Sequence, residues 1–180
     1  MTPLSRSAHA RIVPMLCALT LALLPPVSRA AEPGTGWRSA TTMPALVRAL
    51  DSWLDSHSPY AARDAAPDIR LVSHGRIRAL SSAGHRSGDR RRGLYDPENR
   101  VVYLARPWSM RDARDVSVLL HELTHHRQAT ARHWYCPGQQ ELPAYRLQAA
   151  WLAEQGTRIA INWIAATLAG GCTTRDIHPD

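Results

Sequence analysis

The sequence predicts an α+β domain in which a short antiparallel sheet packs on a metal-bearing helix followed by two further helices. Three observations carry this expectation. The alternating segment Ile69–Val72 and the apolar run Val101–Leu104 read as strands. Longer stretches after residue 112 repeat apolar residues at helical spacing. Between them, His121-Glu122-Leu123-Thr124-His125 sets two imidazoles four residues apart, which on a helix is one face. The chain divides into a signal peptide (1–30), a flexible segment (31–42), one domain (43–172) and a tail (173–180).

Residues 1–30 have the composition of a secretory signal. Arg6 and Arg11 precede the apolar run Ile12–Leu24, and Ser28-Arg29-Ala30 places small residues for cleavage after Ala30. The run is short for a membrane span, so an uncleaved anchor is the lesser alternative and no stable anchor is expected after cleavage. Cys17 lacks the small preceding residue of a lipoprotein cysteine. Cys136 and Cys172 then remain, an even pair that in an exported chain, periplasmic or secreted, predicts a disulfide. Two unpaired thiols, or Cys136 as a zinc ligand, are the alternatives.

The formal charge of +7 falls to +4 once Arg6, Arg11 and Arg29 leave, with 19 arginines against 15 acids and no lysine. Arg90-Arg91-Arg92 lies in the polar stretch Ser81–Gly93 and reads as a solvated loop. An exported chain gives little reason to expect nucleic acid as a partner.

Pro44–Ser56 is the first expected helix, with Leu46, Val47, Leu50, Trp53 and Leu54 on its apolar face. Ile77–Leu80 reads as a second strand after Ile69–Val72. Gly93–Tyr95, the turn Asp96–Asn99 and Val101–Leu104 form a hairpin whose last strand presents an outer edge able to hold an extended peptide. Ser109 and Asp112 have the spacing of a capping box, with Ser109 at the N-cap. Val116, Leu119, Leu120 and Leu123 supply the apolar stripe of the helix that follows. Past the turn at Trp134–Gly138, a helix runs from about Glu141 to Glu154. Thr157 then caps a last one, apolar all round and so expected in the core, ending at Gly170-Gly171.

Two neutral imidazoles on a rigid helix fix two corners of a tetrahedral zinc site, and Glu122, about 100° around from His121, can reach a water on the metal without ligating it. A catalytic zinc takes a third protein ligand. His133, eight residues past His125, would lie about 12 Å along a continuous helix. His126 faces away, and the third-histidine extension fails because Gln128 and Ala131 stand where Gly and His would be needed. Glu141, brought back by the next helix, is the best candidate, and Glu154 is second.

With these residues the chain resembles the zincin metallopeptidases, and among them the gluzincins, whose third ligand is a glutamate on a following helix. The resemblance spans Val101–Trp151 and rests on His121, Glu122, His125 and Glu141. It is also similar to small exported bacterial zincin-like proteins with a Cys and an E-x-x-A-Y-x-x-Q segment after the motif, here Glu141–Gln148. The chain departs from gluzincins in its short step from His125 to Glu141 and in Tyr145, where many members carry an acid; Pro143 places Glu141 in a first helical turn.

The resemblance implies a zincin-like domain with Zn²⁺ as cofactor, a peptide or protein substrate, and hydrolysis by a zinc-activated water with Glu122 as general base. Tyr145, Tyr135, His133 and Arg146 are the nearby candidates for the oxyanion donor. Competing expectations are a zinc hydrolase for another amide, such as a cell-wall peptide, and a non-catalytic zinc-binding protein.

Overall fold

The structure, a computed structural model, describes residues 36–82 and 91–172. The expected signal peptide, residues 31–35 of the flexible segment, residues 83–90 with Arg90, and the tail from residue 173 lie outside the described residues. A short 3-10 turn, Gly36–Ser39, leads into α1 (Met43–His57), where Thr42 Oγ1 accepts the Ala45 N–H at 3.3 Å as N-cap. Then come β1 (Asp68–Val72), α2 (His74–Ser82), β2 (Gly93–Asp96), β3 (Val101–Ala105), α3 (Ala113–Gln128), α4 (Gly138–Glu154) and α5 (Trp163–Gly170). The domain is α+β, as the sequence predicts.

Its three-stranded sheet has the order β1-β3-β2 and is mixed rather than antiparallel. The hairpin β2–β3 is antiparallel, with Leu94 opposite Tyr103, while β1 runs parallel to β3, with Ile69 opposite Val102. A parallel partner needs a crossover, and α2 lies within that connection. This α2 occupies the stretch expected as the strand Ile77–Leu80. Ser73 initiates it by accepting the Arg76 N–H on both its carbonyl (3.0 Å) and its hydroxyl (3.2 Å).

β3 is therefore central, and its outer edge is not free for a peptide as expected. It is buried at all five positions, as a strand covered on both faces should be. Val102 and Leu104 point into the main core with α1 and α3, whereas Val101, Tyr103 and Ala105 pack with Ile77 of α2. The main core joins Leu46, Leu50 and Leu54 of α1 to Leu119, Leu120 and Leu123 of α3 and Trp151 of α4.

Asp112, not Ser109, is the N-cap of α3: its Oδ1 accepts the Arg114 N–H at 2.8 Å. Ser109 shapes the preceding turn, its N–H bound to Asp115 Oδ2 at 2.8 Å and its hydroxyl accepting from Arg111 N. The end of α4 is closed by Gly156 at φ 67, which lets the N–H groups of Gly156 and Thr157 reach the carbonyls of Ala153 and Leu152. Thr157 thus terminates α4 instead of capping α5. Nor is α5 core: Ile164 and Leu168 are 75% and 71% exposed, and Ala166 is the buried residue among those described there. Eight residues make too short a helix to bury more than one face. The expected bridge Cys136–Cys172 is formed and ties the end of α5 to the turn before α4. No described helix is long and apolar enough to cross a membrane.

Candidate metal centre

His121 and His125 lie one turn apart on α3 with their Nε2 atoms 3.0 Å apart. Glu141 comes from the first turn of α4, as expected, and brings Oε2 to 3.4 Å from His121 Nε2 and 3.8 Å from His125 Nε2. Three ligand atoms bound at zinc-like distances of about 2.05 Å would lie about 3.3 Å apart around a tetrahedron. The observed edges bracket that value, and two imidazoles with one carboxylate are a donor set that fits a divalent metal ion.

The α4 segment owes its place to the spacing of its side chains. Ala144 is fully buried, Tyr145 lies against the His121 ring at 4.6 Å, and Gln148 donates to Ser117 Oγ at 3.0 Å. Residues 141, 145 and 148 share one helical face, so the packing that docks α4 on α3 also delivers the carboxylate.

Gln128, which the sequence marks only as the residue where the third-histidine extension fails, is buried three residues past His125 on the same face. Its amide oxygen lies 2.8 Å from His125 Nδ1 and its amide nitrogen donates to Gln140 O at 3.0 Å. A carbonyl oxygen only accepts, so His125 carries a proton on Nδ1 and presents Nε2 to the cluster. Gln128 thus grips both His125 and the residue preceding Glu141. His121 has no such support: its Nδ1 is buried with no partner among the described residues.

Glu122 is buried beside the cluster under β2. A Cβ on Gly93 would fall 2.5 Å from Glu122 Oε1, 2.9 Å from its Cγ and 2.7 Å from Val118 Cγ1. The strand can therefore pass over the carboxylate only with glycine there. Burial pushes the Glu122 carboxyl above its ordinary value, with Glu141 adding to the push and His121, His125 and Arg91 opposing it. Burial would also raise Glu141, but hydrogen bonds and charge from His121 and His125 hold it far below the usual range. Burial lowers His125, yet its bond to Glu141 and the charges of Glu141 and Glu122 outweigh that and raise it. The cluster favours a protonated His125 facing the Glu141 carboxylate, a positive charge that a cation would replace.

The site opens on a cleft of about 820 Å³ between β2, α3, α4 and the chain before α5. Tyr145 is the one of the four expected oxyanion candidates that lines it, its hydroxyl pushed up by burial and by Glu141. His133 packs on Tyr135, which is 57% exposed. Glu154, the second-choice ligand, is bound to Trp53 Nε1 at 2.8 Å and His57 at 3.3 Å. It lies about 20 Å along α4 from Glu141. Cys136 is committed to its disulfide. The arginine run is not simply solvated: Arg91 lines the cleft, and Arg92 pairs with Asp115 at 2.7 Å.

Residues 39–180 match the family described as a domain of unknown function, DUF6647, and the chain belongs to that family. No curated protein and no solved structure matches the chain.

Proposed function

We propose that the domain is an exported, zinc-dependent metallopeptidase of the gluzincin kind. The observation that carries the reading is the convergence of His121, His125 and Glu141 within 3.0–3.8 Å at the floor of an open cleft, with the unligated Glu122 buried beside them. A structural zinc site is closed by four protein ligands, whereas three ligands facing a cleft leave a position for water and substrate.

His121, His125 and Glu141 would hold the ion. When bound, it supplies Lewis-acid polarisation of a substrate carbonyl and lowers the pKa of water towards 7. Glu122 accepts the proton of the attacking water and passes it to the leaving amine; its upward-shifted carboxyl suits a group that must both take and give a proton near neutral pH. Tyr145, on the cleft wall against His121, is the side chain placed to donate to the developing oxyanion. The strand beside Glu122 is β2, an edge strand, and its outer side is where an extended substrate can add, in place of β3. The N-terminal signal-like segment supports export, as does the disulfide.

The test is Glu122→Gln. This variant keeps a stoichiometric zinc and loses peptide hydrolysis by at least about 100-fold. Undiminished hydrolysis would remove Glu122 from the chemistry, and a zinc-loaded wild type that cleaves no member of a peptide library would favour the non-catalytic zinc protein.

A further inference from the structure

The cleft is walled largely by apolar side chains, among them Leu94, Val118, Pro137, Ile159 and Ile161. Two cations enter it from the segment before β2, and they differ. Arg92 is committed: its Nη2 lies 2.7 Å from Asp115 Oδ1 and donates to Pro107 O at 2.9 Å. Arg91 stands 3.9 Å from Glu141 Oε1, beyond hydrogen-bond reach, with 31% of its side chain accessible. Glu141 Oε2 meanwhile faces the two histidines. The Arg91 guanidinium therefore sits two residues before Gly93, the glycine that covers Glu122, and its charge reaches Glu122 and Tyr145 as well.

We propose that Arg91 is the specificity-determining residue of this cleft and selects peptides that carry a carboxylate beside the bond presented to Glu122. The inference rests on the peptidase reading above. A planar guanidinium matches a carboxylate through two parallel N–H···O bonds, and apolar walls strengthen the pairing by excluding water. One cation flanked by Glu122 and Glu141 suits a single negative charge, whereas a phosphate dianion or a polyanion would be repelled by those two carboxylates. The carboxylate can come from an acidic side chain or from a free C-terminus.

Both sources are tested with the zinc-loaded Glu122→Gln protein, so that binding is read without turnover. The probes are acetylated Ala/Leu hexapeptide amides with one Glu or one Gln scanned through the positions, and the same hexapeptides with a free or amidated C-terminus. Calorimetry is expected to give about tenfold tighter binding for carboxylate peptides, a preference that weakens at 1 M salt. Adding Arg91→Gln abolishes that preference without changing zinc stoichiometry, and Arg91→Lys keeps part of it. Equal binding of Glu and Gln peptides, a preference that survives Arg91→Gln, or loss of zinc in Arg91→Gln overturns the proposal, the last because Arg91 would then serve Glu141. Hydrolysis by the wild type is scored separately. A carboxylate preference without cleavage would sink the peptidase reading and leave the Arg91 subsite standing.

Discussion

His125 and His126 are neighbours on α3, yet about 100° apart around the helix they serve different sides of it. His125 faces α4 and the cleft, and Gln128 and Glu141 draw its pKa up against the effect of burial. His126 faces away, with Nε2 at 3.0 Å from Ala65 O and Nδ1 at 3.0 Å from the Tyr95 hydroxyl; burial lowers its pKa, and Arg63 adds to the lowering. The next residue, Arg127, turns about another 100° and is buried against α1, bound to Asp51, Asp55 and Tyr60 O. Three consecutive side chains thus tie α3 to three different parts of the domain. The cleft side gathers groups able to share a cation, and the back side fixes the helix so that they stay gathered.

The comparison breaks most visibly at Glu141. On the proposed reading, Glu141→Ala should weaken zinc affinity by roughly several hundred-fold or more, measured by chelator competition, because it would leave the ion two protein ligands. Glu154→Ala, thirteen residues along the same helix, should leave zinc affinity within about twofold, since its carboxylate is bound to Trp53 and His57. On the back side, Arg127→Met should cost about 2–3 kcal/mol in urea unfolding by leaving Asp51 and two carbonyls without their donor, with zinc stoichiometry kept. A loss of zinc in that variant with little loss of stability would erase the division between the faces.

Gln128→Met sharpens it from the cleft side: zinc affinity should fall about 10–100-fold, and Gln128→Glu, which keeps an acceptor for His125, should fall less. Wild-type affinity in Gln128→Met would show that His125 needs no second partner. The smallest effect belongs to Tyr95. Burial holds its hydroxyl above the ordinary 10.0, against the pull of Arg63, so the fold disfavours its ionised form. Its contribution is complete below about pH 10 and is lost as pH rises through the higher folded-state value. Urea midpoints from pH 8 to 11 should fall less steeply for Tyr95→Phe, which also loses about 1 kcal/mol at pH 8 with its hydrogen bonds.

Much of the domain could be read from local pattern. The faces of α1 and α3, the β2–β3 hairpin and the Cys136–Cys172 pairing follow from periodicity, turn residues and an even cysteine count. Four residues such as Ile77–Leu80 fit strand and helix equally well, and only the Ser73 cap and a core position for Ile77 decide for helix. Apolarity likewise misplaced α5, because burial depends on what lies opposite a residue, and Ile164 and Leu168 face none of the core.

The sequence by itself determined that two imidazoles and a carboxylate share one helix, since a four-residue spacing becomes one face wherever the chain is helical. It also pointed to Glu141 in a first turn, although α4 starts at Gly138, earlier than expected, and takes Pro143 inside it. Only the tertiary structure decided that β1 adds parallel to β3 and leaves β2 as the edge. Gln128 holding His125, Gly93 making room for Glu122 and Arg91 facing the cleft are likewise results of packing. Those residues act across contacts between elements far apart in the chain, and such contacts leave no local period to read.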